Sequence, residues 1–211
     1  MGLPEVLARI EVAARRAARD PRGVQLVAVT KGHDPAAIQE RVLAYGDFPL
    51  GESRVQEALP KIHALPRATF HFIGPLQRNK AKFMHHFAFL HSLDSLRVAE
   101  ALNRRLDRDL DVLVEVNVGR EPQKHGVLPE DLAEFLFHLE AFPRLRVRGL
   151  MTVAPRTRDV RRLRAVFAEL SRLADRYNLP ERSMGMSEDY ELAVEEGSTL
   201  VRVGRAIFDE L

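Results

Sequence analysis

The sequence predicts a single (β/α)8 TIM barrel with an extra N-terminal helix, over residues 1–211. Short apolar runs alternate with segments of helical spacing, and parallel strands need room for a helix in each crossover. The runs lack strict alternation, which indicates strands buried on both faces. An open doubly wound sheet is the competing fold, but no G-x-G-x-x-G follows the first run. Eight strands are expected, at Gln25–Thr30, Phe48–Gly51, Thr69–Ile73, Phe87–Ser92, Asp111–Asn117, Arg146–Thr152, Arg182–Met184 and Leu200–Val203.

Two segments show the helical pattern clearly. Met1–Asp20 is amphipathic and precedes the first strand, so it is the extra helix. In Asp159–Tyr177 the apolar residues recur at steps of three and four, which places them on one face. The arginines of this segment alternate with acidic residues. That arrangement is typical of a solvated helix face rather than of a basic binding surface.

The composition is that of a globular domain and excludes several classes of function. The 32 basic and 30 acidic residues give a net charge of +2, which is no electrostatic footprint for nucleic acid. The chain has no cysteine, which excludes disulfides, thiolate metal sites and cysteine nucleophiles. No run approaches the roughly 18 apolar residues of a membrane span. We therefore expect a cytoplasmic protein that binds neither nucleic acid nor a membrane.

One lysine follows the first predicted strand directly. Lys31 comes after an apolar run, and the chain uses lysine at only four other positions, Lys61, Lys80, Lys82 and Lys124. In a barrel, functional groups stand where strands end. A partly desolvated lysine amine can act as a neutral nucleophile near pH 7 and form Schiff bases with carbonyl compounds or with pyridoxal phosphate. The alternative is a side chain that simply extends from a strand end into solvent.

The turns after the seventh and eighth strands carry small residues and suit an anion. Ser187 closely follows Gly185 in the first turn, and Gly204 precedes Arg205 in the second. A serine hydroxyl and backbone N–H groups can hold a phosphate, and phosphate sites after these two strands recur in barrels. Ser187 is equally suited to N-cap the helix that follows. Arg202 lies inside an apolar strand, so its charge needs a partner or a ligand.

Other polar residues stand at predicted strand ends and are candidates for lining the same pocket. Each of them, taken singly, is more typical of a turn or a cap. The histidines show no metal-ligand spacing, so no metal site is predicted. The candidates are Glu52, Ser53, Arg54, His71, His91, Asn117 and Thr152.

Ten stretches of the sequence, in order and across nearly the whole chain, match the motifs of a known family. The most specific are His71–Lys80 and Ser183–Ser187. On these motifs the chain resembles the YggS/PROSC family of pyridoxal-5′-phosphate-binding proteins, also called pyridoxal phosphate homeostasis proteins. The other stretches are Val27–Lys31, Gly51–Glu57, His91–Asp94, Val114–Asn117, Gln123–Gly126, Arg148–Thr152, Gly197–Thr199 and Val201–Phe208.

The resemblance implies a barrel similar to the N-terminal domain of alanine racemase, with pyridoxal 5′-phosphate held as an internal aldimine on Lys31. It implies that Ser187 and the Gly204–Arg205 turn hold the phosphate and that Arg202 faces the pyridine nitrogen. An arginine there disfavours protonation of the ring nitrogen and weakens the ring as an electron sink. The expected cofactor-binding residues are Lys31, Ser53, His71, Met184, Gly185, Ser187, Arg202, Gly204 and Arg205.

Two positions depart from the pattern common in that family. Ser53 stands where asparagine is common, and it offers fewer hydrogen bonds. Arg205 stands where threonine or serine is common. Its guanidinium either adds a charge-assisted bond to the phosphate or points to solvent and leaves only the backbone N–H in place.

The resemblance implies a protein that binds, buffers or delivers the cofactor to client enzymes and has no established catalytic activity. Racemases take a catalytic tyrosine from a second domain of a partner subunit. This chain ends at Leu211, so we expect no such domain, a monomer, and Tyr190 as the one candidate substitute. Two alternatives stay open. One is a single-domain pyridoxal phosphate racemase, and the other is a Schiff-base aldolase that uses Lys31 on a sugar phosphate.

Overall fold

The computed structural model describes residues 2–209 and contains eight parallel strands closed into a barrel. Each strand pairs with its neighbours in sequence, and the last strand pairs with the first. The predicted barrel is therefore confirmed, and the predicted strand boundaries shift by at most two residues. The strands are β1 Gln25–Val29, β2 Leu50–Glu52, β3 Phe70–Phe72, β4 Phe89–Leu93, β5 Leu110–Glu115, β6 Leu145–Met151, β7 Glu181–Ser183 and β8 Leu200–Val203.

Helices cover the outside of the barrel. The crossover between β3 and β4 differs from the others because a 3-10 helix, Arg78–His86, runs there. No helix within residues 2–209 is long and apolar enough to cross a bilayer. The α-helices are α1 Leu3–Arg16, α2 Pro35–Arg41, α3 Val55–Ala64, α4 Leu96–Arg105, α5 Leu132–Leu139, α6 Val160–Arg176, α7 Tyr190–Glu195 and α8 Arg205–Phe208.

The expected extra N-terminal helix is α1, and its apolar stripe explains where it packs. The stripe lies against α7 and α8, outside the last quarter of the barrel. Just after the helix, the Arg19 guanidinium donates to the carbonyl oxygens of Val194 at 2.5 Å and of Ser198 at 2.9 Å. Helix α1 is thereby held by the packing of its apolar face and by the hydrogen bonds of Arg19 just after its carboxyl end. The buried residues of the stripe are Leu3, Val6, Ile10, Ala13 and Ala14.

The inside of the barrel has an apolar floor, formed by Val27, Leu113, Met151 and Leu200 from four different strands. On β5 and β8 a polar residue follows a floor residue two positions later, and on β4 a polar residue follows Phe89, which packs against the floor. Residues two apart on a strand share a face, so this polar layer lies inside the barrel on the carboxyl side of the floor. Its members on these strands are His91, Glu115 and Arg202.

Candidate functional site

Lys31 lies in a tight turn at the carboxyl end of β1, and its side chain is exposed. The turn closes where the amide of His33 donates to the carbonyl oxygen of Thr30 at 3.1 Å. Within residues 2–209 the Lys31 amine has no hydrogen bond or ion pair. The sequence predicts a partly desolvated amine, but β1 ends before Thr30, and the lysine that follows reaches solvent. The amine is therefore open to a ligand.

A buried ion pair holds the residue before Lys31. The Lys61 Nζ atom on α3 lies 2.6 Å from Glu52 Oε1 and donates to the carbonyl oxygen of Thr30 at 2.7 Å. The Thr30 hydroxyl donates to the same Glu52 oxygen at 2.5 Å. We call Thr30, Glu52 and Lys61 the Thr30 anchor, and all three residues are buried. The position of the Lys31 turn depends on this anchor.

Arg202 is buried in the polar layer, with 4% of its surface exposed. Its Nη1 donates to the Ser183 hydroxyl oxygen at 2.5 Å and its Nη2 donates to the carbonyl oxygen of Thr152 at 2.9 Å. Burial lowers the pKa of Arg202 to about 10, while Glu115 and Asp189 oppose the shift. The guanidinium therefore stays charged at neutral pH. The sequence predicts a partner for the charge of Arg202. In the structure two neutral oxygen atoms, one of Ser183 and one of Thr152, accept its hydrogen bonds.

His71 and His91 lie side by side in the same layer. The Nδ1 atom of His71 is 3.0 Å from the Nε2 atom of His91, and the Nδ1 atom of His91 is 2.8 Å from the Ser183 hydroxyl oxygen. Burial lowers the pKa of His71 to about 4 and the pKa of His91 well below its usual value. Both imidazoles are thus neutral at pH 7. Among residues 2–209, no group of three or more potential metal ligands comes together.

The turns after β7 and β8 meet, as the sequence predicts. The amide of Ala206 donates to the Ser187 hydroxyl oxygen at 3.3 Å. Gly204 lies so close to β1 that an added Cβ would stand 3.0 Å from the Cβ of Val29. Gly185 has a φ of +96°, and an added Cβ there would stand 2.6 Å from the Cβ of Ala193. Gly185 requires glycine, because its φ is positive and an added Cβ would also stand 2.9 Å from the Tyr190 Cα atom, while Gly204 leaves little room for a side chain beside β1.

Two predicted side chains point away from the barrel mouth. The Arg205 guanidinium is exposed and lies 2.7 Å from Glu188 Oε1, so the solvent-facing alternative for Arg205 is the observed one. Met184 packs in the core between barrel and helices. It follows Ser183, which faces the barrel interior, and the alternation of a strand turns the next side chain outward. At Arg205 and Met184, only backbone atoms remain available to a ligand at the mouth.

Two further expectations can be compared with the structure. Ser187 does not N-cap α7, because Asp189 occupies that position and its carboxylate accepts from the amide of Met186 at 2.7 Å. Ser53 is half-buried at the end of β2 and touches the loop after β3. A Cβ added to Gly74 would stand 2.4 Å from the Ser53 carbonyl oxygen. The loops after β2 and β3 therefore pack directly on each other.

The loop after β5 bridges the carboxyl ends of β4 and β6. The amide of Gly126 donates to Asp94 Oδ2 at 3.0 Å. Lys124 Nζ donates to the carbonyl oxygen of Ala154 at 2.9 Å and lies 2.6 Å from Glu121 Oε2. Lys124 belongs to a matched motif but not to the predicted site. It is a second lysine amine at this end of the barrel.

Glu115 is the acidic member of the polar layer, with 8% of its surface exposed. The pKa of Glu115 is raised from 4.5 to about 7, chiefly by burial and then by the nearby charge of Asp94. Arg202 and Lys124 act in the opposite direction. Because burial outweighs these two cations, this carboxyl group changes its charge close to pH 7.

The Glu115→Gln variant is expected to lose a pH dependence of stability. The folded state keeps the Glu115 proton from about pH 4.5 to about pH 7, where the unfolded chain has lost it. The free energy of unfolding therefore falls as the pH rises through this window, by on the order of 3 kcal/mol. Urea unfolding of both proteins at pH 5 and pH 8 measures this difference. An equal pH dependence in both proteins, with exposed Glu188→Gln as control, would contradict it.

The sequence places His91 among the candidates for lining the pocket, and both His91 and Ser183 lie in matched motifs, but only the pairing of strands shows that they form one hydrogen-bonded group with Arg202. Glu115, the acidic member of the polar layer, is not among the sequence candidates. Tyr190, the candidate catalytic tyrosine, faces α1 instead of the barrel mouth. Burial raises its pKa, and the nearby charges that act on it include Glu5 and Arg9 of α1.

The sequence matches the family profile described as alanine racemase, N-terminal domain, over residues 3–210. It is 48% identical to the pyridoxal phosphate homeostasis protein of Deinococcus radiodurans over 211 residues, which covers 99% of this chain and 100% of that protein. The chain belongs to the pyridoxal phosphate homeostasis protein family. The family resemblance inferred from the motifs is thereby confirmed.

Solved structures support the same assignment. PipY of Synechococcus elongatus PCC7942 has been solved with PLP bound. It is 38% identical, has a TM-score of 0.81, and the match covers 95% of this chain and 99% of PipY. Alanine racemase of Corynebacterium glutamicum is 18% identical with a TM-score of 0.67, over 98% of this chain and 61% of the racemase. That second likeness establishes the shared barrel alone.

Proposed function

We propose that this chain binds pyridoxal 5′-phosphate at the carboxyl end of the barrel, holds it on the Lys31 amine as an internal aldimine, and serves cofactor homeostasis and delivery rather than catalysis. The observation that carries the proposal is the Lys31 amine, which stands unpaired beside the meeting point of the β7 and β8 turns. The PLP-bound relative PipY supports the choice of ligand.

The residues at this end of the barrel fit the cofactor group by group. Lys31 offers a primary amine, and the Ser187 hydroxyl lies beside the close-packed Gly204 backbone, where a phosphate can approach without meeting a side chain. Arg202 offers a buried cation for the pyridine nitrogen. When bound, the cofactor supplies an aldehyde carbon that links to amines and a ring that withdraws electrons.

The charge of Arg202 decides what the bound ring can do. A fixed cation beside the pyridine nitrogen disfavours protonation of that nitrogen. The ring then withdraws electrons less well than it would beside a carboxylate. This favours holding the cofactor over removing protons from amino acids.

We further propose a single cofactor-binding domain over residues 1–211, acting as a cytoplasmic monomer that supplies client enzymes. The missing cysteines fit a reducing compartment, and light scattering tests the monomer.

Borohydride trapping tests the attachment site. Purified protein is mixed with pyridoxal 5′-phosphate, reduced and digested, and the modified peptides are located by mass spectrometry. We expect one dominant pyridoxyl adduct, on Lys31. Phosphate-free pyridoxal serves as the control, and it should label Lys31 less because Ser187 and the Gly204 backbone then hold nothing. Equal labelling of exposed Lys31 and Lys82 would contradict the proposal.

A single-domain racemase is the second candidate, because the sequence matches the alanine racemase N-terminal domain. The two functions differ in whether the α-proton of an amino acid is exchanged. Alanine or serine is incubated with the loaded protein in deuterated water and followed by NMR. We expect no exchange beyond that given by free pyridoxal phosphate. Faster exchange, lost in Lys31→Ala, would establish the racemase.

A further inference from the structure

Four buried side chains form one continuous hydrogen-bond chain inside the barrel. It runs from Arg202 Nη1 to the Ser183 hydroxyl at 2.5 Å, from that hydroxyl to His91 Nδ1 at 2.8 Å, and from His91 Nε2 to His71 Nδ1 at 3.0 Å. All four residues are more than nine-tenths buried. They come from β8, β7, β4 and β3, so the closed barrel assembles the chain.

The donor-to-acceptor direction of this hydrogen-bond chain follows from its charged end, Arg202. Arginine has only donors, so the Ser183 oxygen must accept from Arg202. Ser183 is fully buried, and His91 Nδ1 is the one acceptor within its reach among residues 2–209. A buried hydroxyl hydrogen without an acceptor is costly. The hydroxyl therefore donates to His91 Nδ1.

The tautomers of both histidines are then determined. His91 accepts at Nδ1, so its one proton lies on Nε2 and is donated to His71 Nδ1. His71 in turn carries its proton on Nε2. Protonating either ring would place two hydrogens face to face within the chain, and burial already keeps both rings neutral.

Both ends of the chain reach the barrel interior. The Nε2 atom of His71 and the Nε atom of Arg202 make no hydrogen bond within residues 2–209. Neither atom is among the fully enclosed polar atoms that lack a partner. The Nε–H of Arg202 and the Nε2–H of His71 are therefore free to donate on the carboxyl side of the apolar floor.

We propose that Ser183, His91 and His71 are positioning residues that hold Arg202 in one orientation, with its Nε–H directed at the pyridine nitrogen of the cofactor and His71 Nε2–H as a second donor to the same cavity. This inference rests on the proposed function, since the acceptor is the bound cofactor. It assigns a role to Ser183, which contacts Arg202 directly, and to His91, which is linked to Arg202 through Ser183.

The direction of the chain is measured by nitrogen NMR on the full-length protein with ¹⁵N-labelled histidine at pH 7. For His71 and His91 we expect neutral rings with protonated Nε2 and unprotonated Nδ1. Adding pyridoxal 5′-phosphate should shift both resonances while the visible band forms. A ring protonated at Nδ1, or a cationic ring, would overturn the proposal. So would a band that forms without any shift of either ring, although the proposed function would then stand.

The matched variants are Ser183→Ala and Ser198→Ala. Both delete a hydroxyl from a fully buried serine, but the Ser198 hydroxyl bonds only to backbone carbonyls such as Met184 O at 2.8 Å. Ser183→Ala should mix the histidine tautomers and weaken cofactor binding about tenfold. Ser198→Ala should change neither. Wild-type tautomers and affinity in Ser183→Ala would refute the proposal, and if that variant does not fold, the wild-type spectrum decides. Failure of the proposed function is recognised separately, because no visible band then forms in the wild type.

Discussion

Replacing Lys31 with alanine is expected to abolish the visible absorption band of the loaded protein. The band requires a covalent link to an amine, and Lys31 is the unpaired amine beside the turns after β7 and β8. The noncovalent contacts of Ser187, Gly204 and Arg202 remain, so weak binding persists. We expect the affinity to fall by about 100-fold, which corresponds to about 2.7 kcal/mol. Absorption titration and equilibrium dialysis measure the two effects.

The control for this experiment is Lys82→Ala. Lys82 is also exposed, but it lies on the outer 3-10 helix and packs over the Phe83 ring. The variant should keep the full band and affinity. If Lys31→Ala keeps a band of wild-type intensity, another amine carries the cofactor, and Lys124 at the same end of the barrel is then the first to be replaced.

The second large effect is expected at the Thr30 anchor. Lys61→Met removes the cation that faces the Glu52 carboxylate; the Glu52 side chain is fully buried and the Lys61 side chain is 9% exposed. An unpaired buried charge costs about 3–5 kcal/mol, so the free energy of unfolding should fall by that amount. Glu52 Oε2 already lacks a partner, and within residues 2–209 only the neutral Thr30 hydroxyl would still donate to this carboxylate. Denaturant unfolding at pH 7 measures the loss.

A double variant separates charge from packing. Glu52→Leu together with Lys61→Met removes both charges, and it should be more stable than Lys61→Met alone because no buried charge is left. The remaining cost is the lost partner of the Thr30 hydroxyl. Lys82→Met, at an exposed lysine, should change stability by less than about 0.5 kcal/mol. If the double variant is no more stable than Lys61→Met, the unpaired buried charge is not the source of the effect.

The barrel and the location of the site were predictable because they depend on local pattern. Apolar runs separated by helical spacing predict strands, and small residues after the last two strands predict Ser187 and Gly204 at one end. Met184 shows the limit of this reasoning. β7, the strand just before Met184, has only three residues. The sequence therefore offers no alternation from which to decide that Ser183 faces inward and Met184 outward.

The sequence names His71, His91 and Arg202 as candidates, but their hydrogen-bond partners could not be predicted, because these depend on strand pairing and not on spacing. His71 and His91 are 20 residues apart, and His91 and Ser183 are 92 apart. Nothing in either interval marks the residues as neighbours. The Thr30 anchor is similar, since Lys61 has the sequence context of an ordinary helix-surface lysine. Only the closed barrel shows which of these side chains meet.

The apolar floor closes the amino end of the barrel interior and leaves only the carboxyl end open. Val27, Leu113, Met151 and Leu200 close its axis below the polar layer, so nothing can pass through from the amino end. Any molecule held above the floor must leave by the route it entered. A ligand therefore enters and leaves through the same opening, which is bordered by the Lys31 turn and the loop that carries Lys124. Under the proposed function, direct transfer of the cofactor to another protein would therefore take place at this rim.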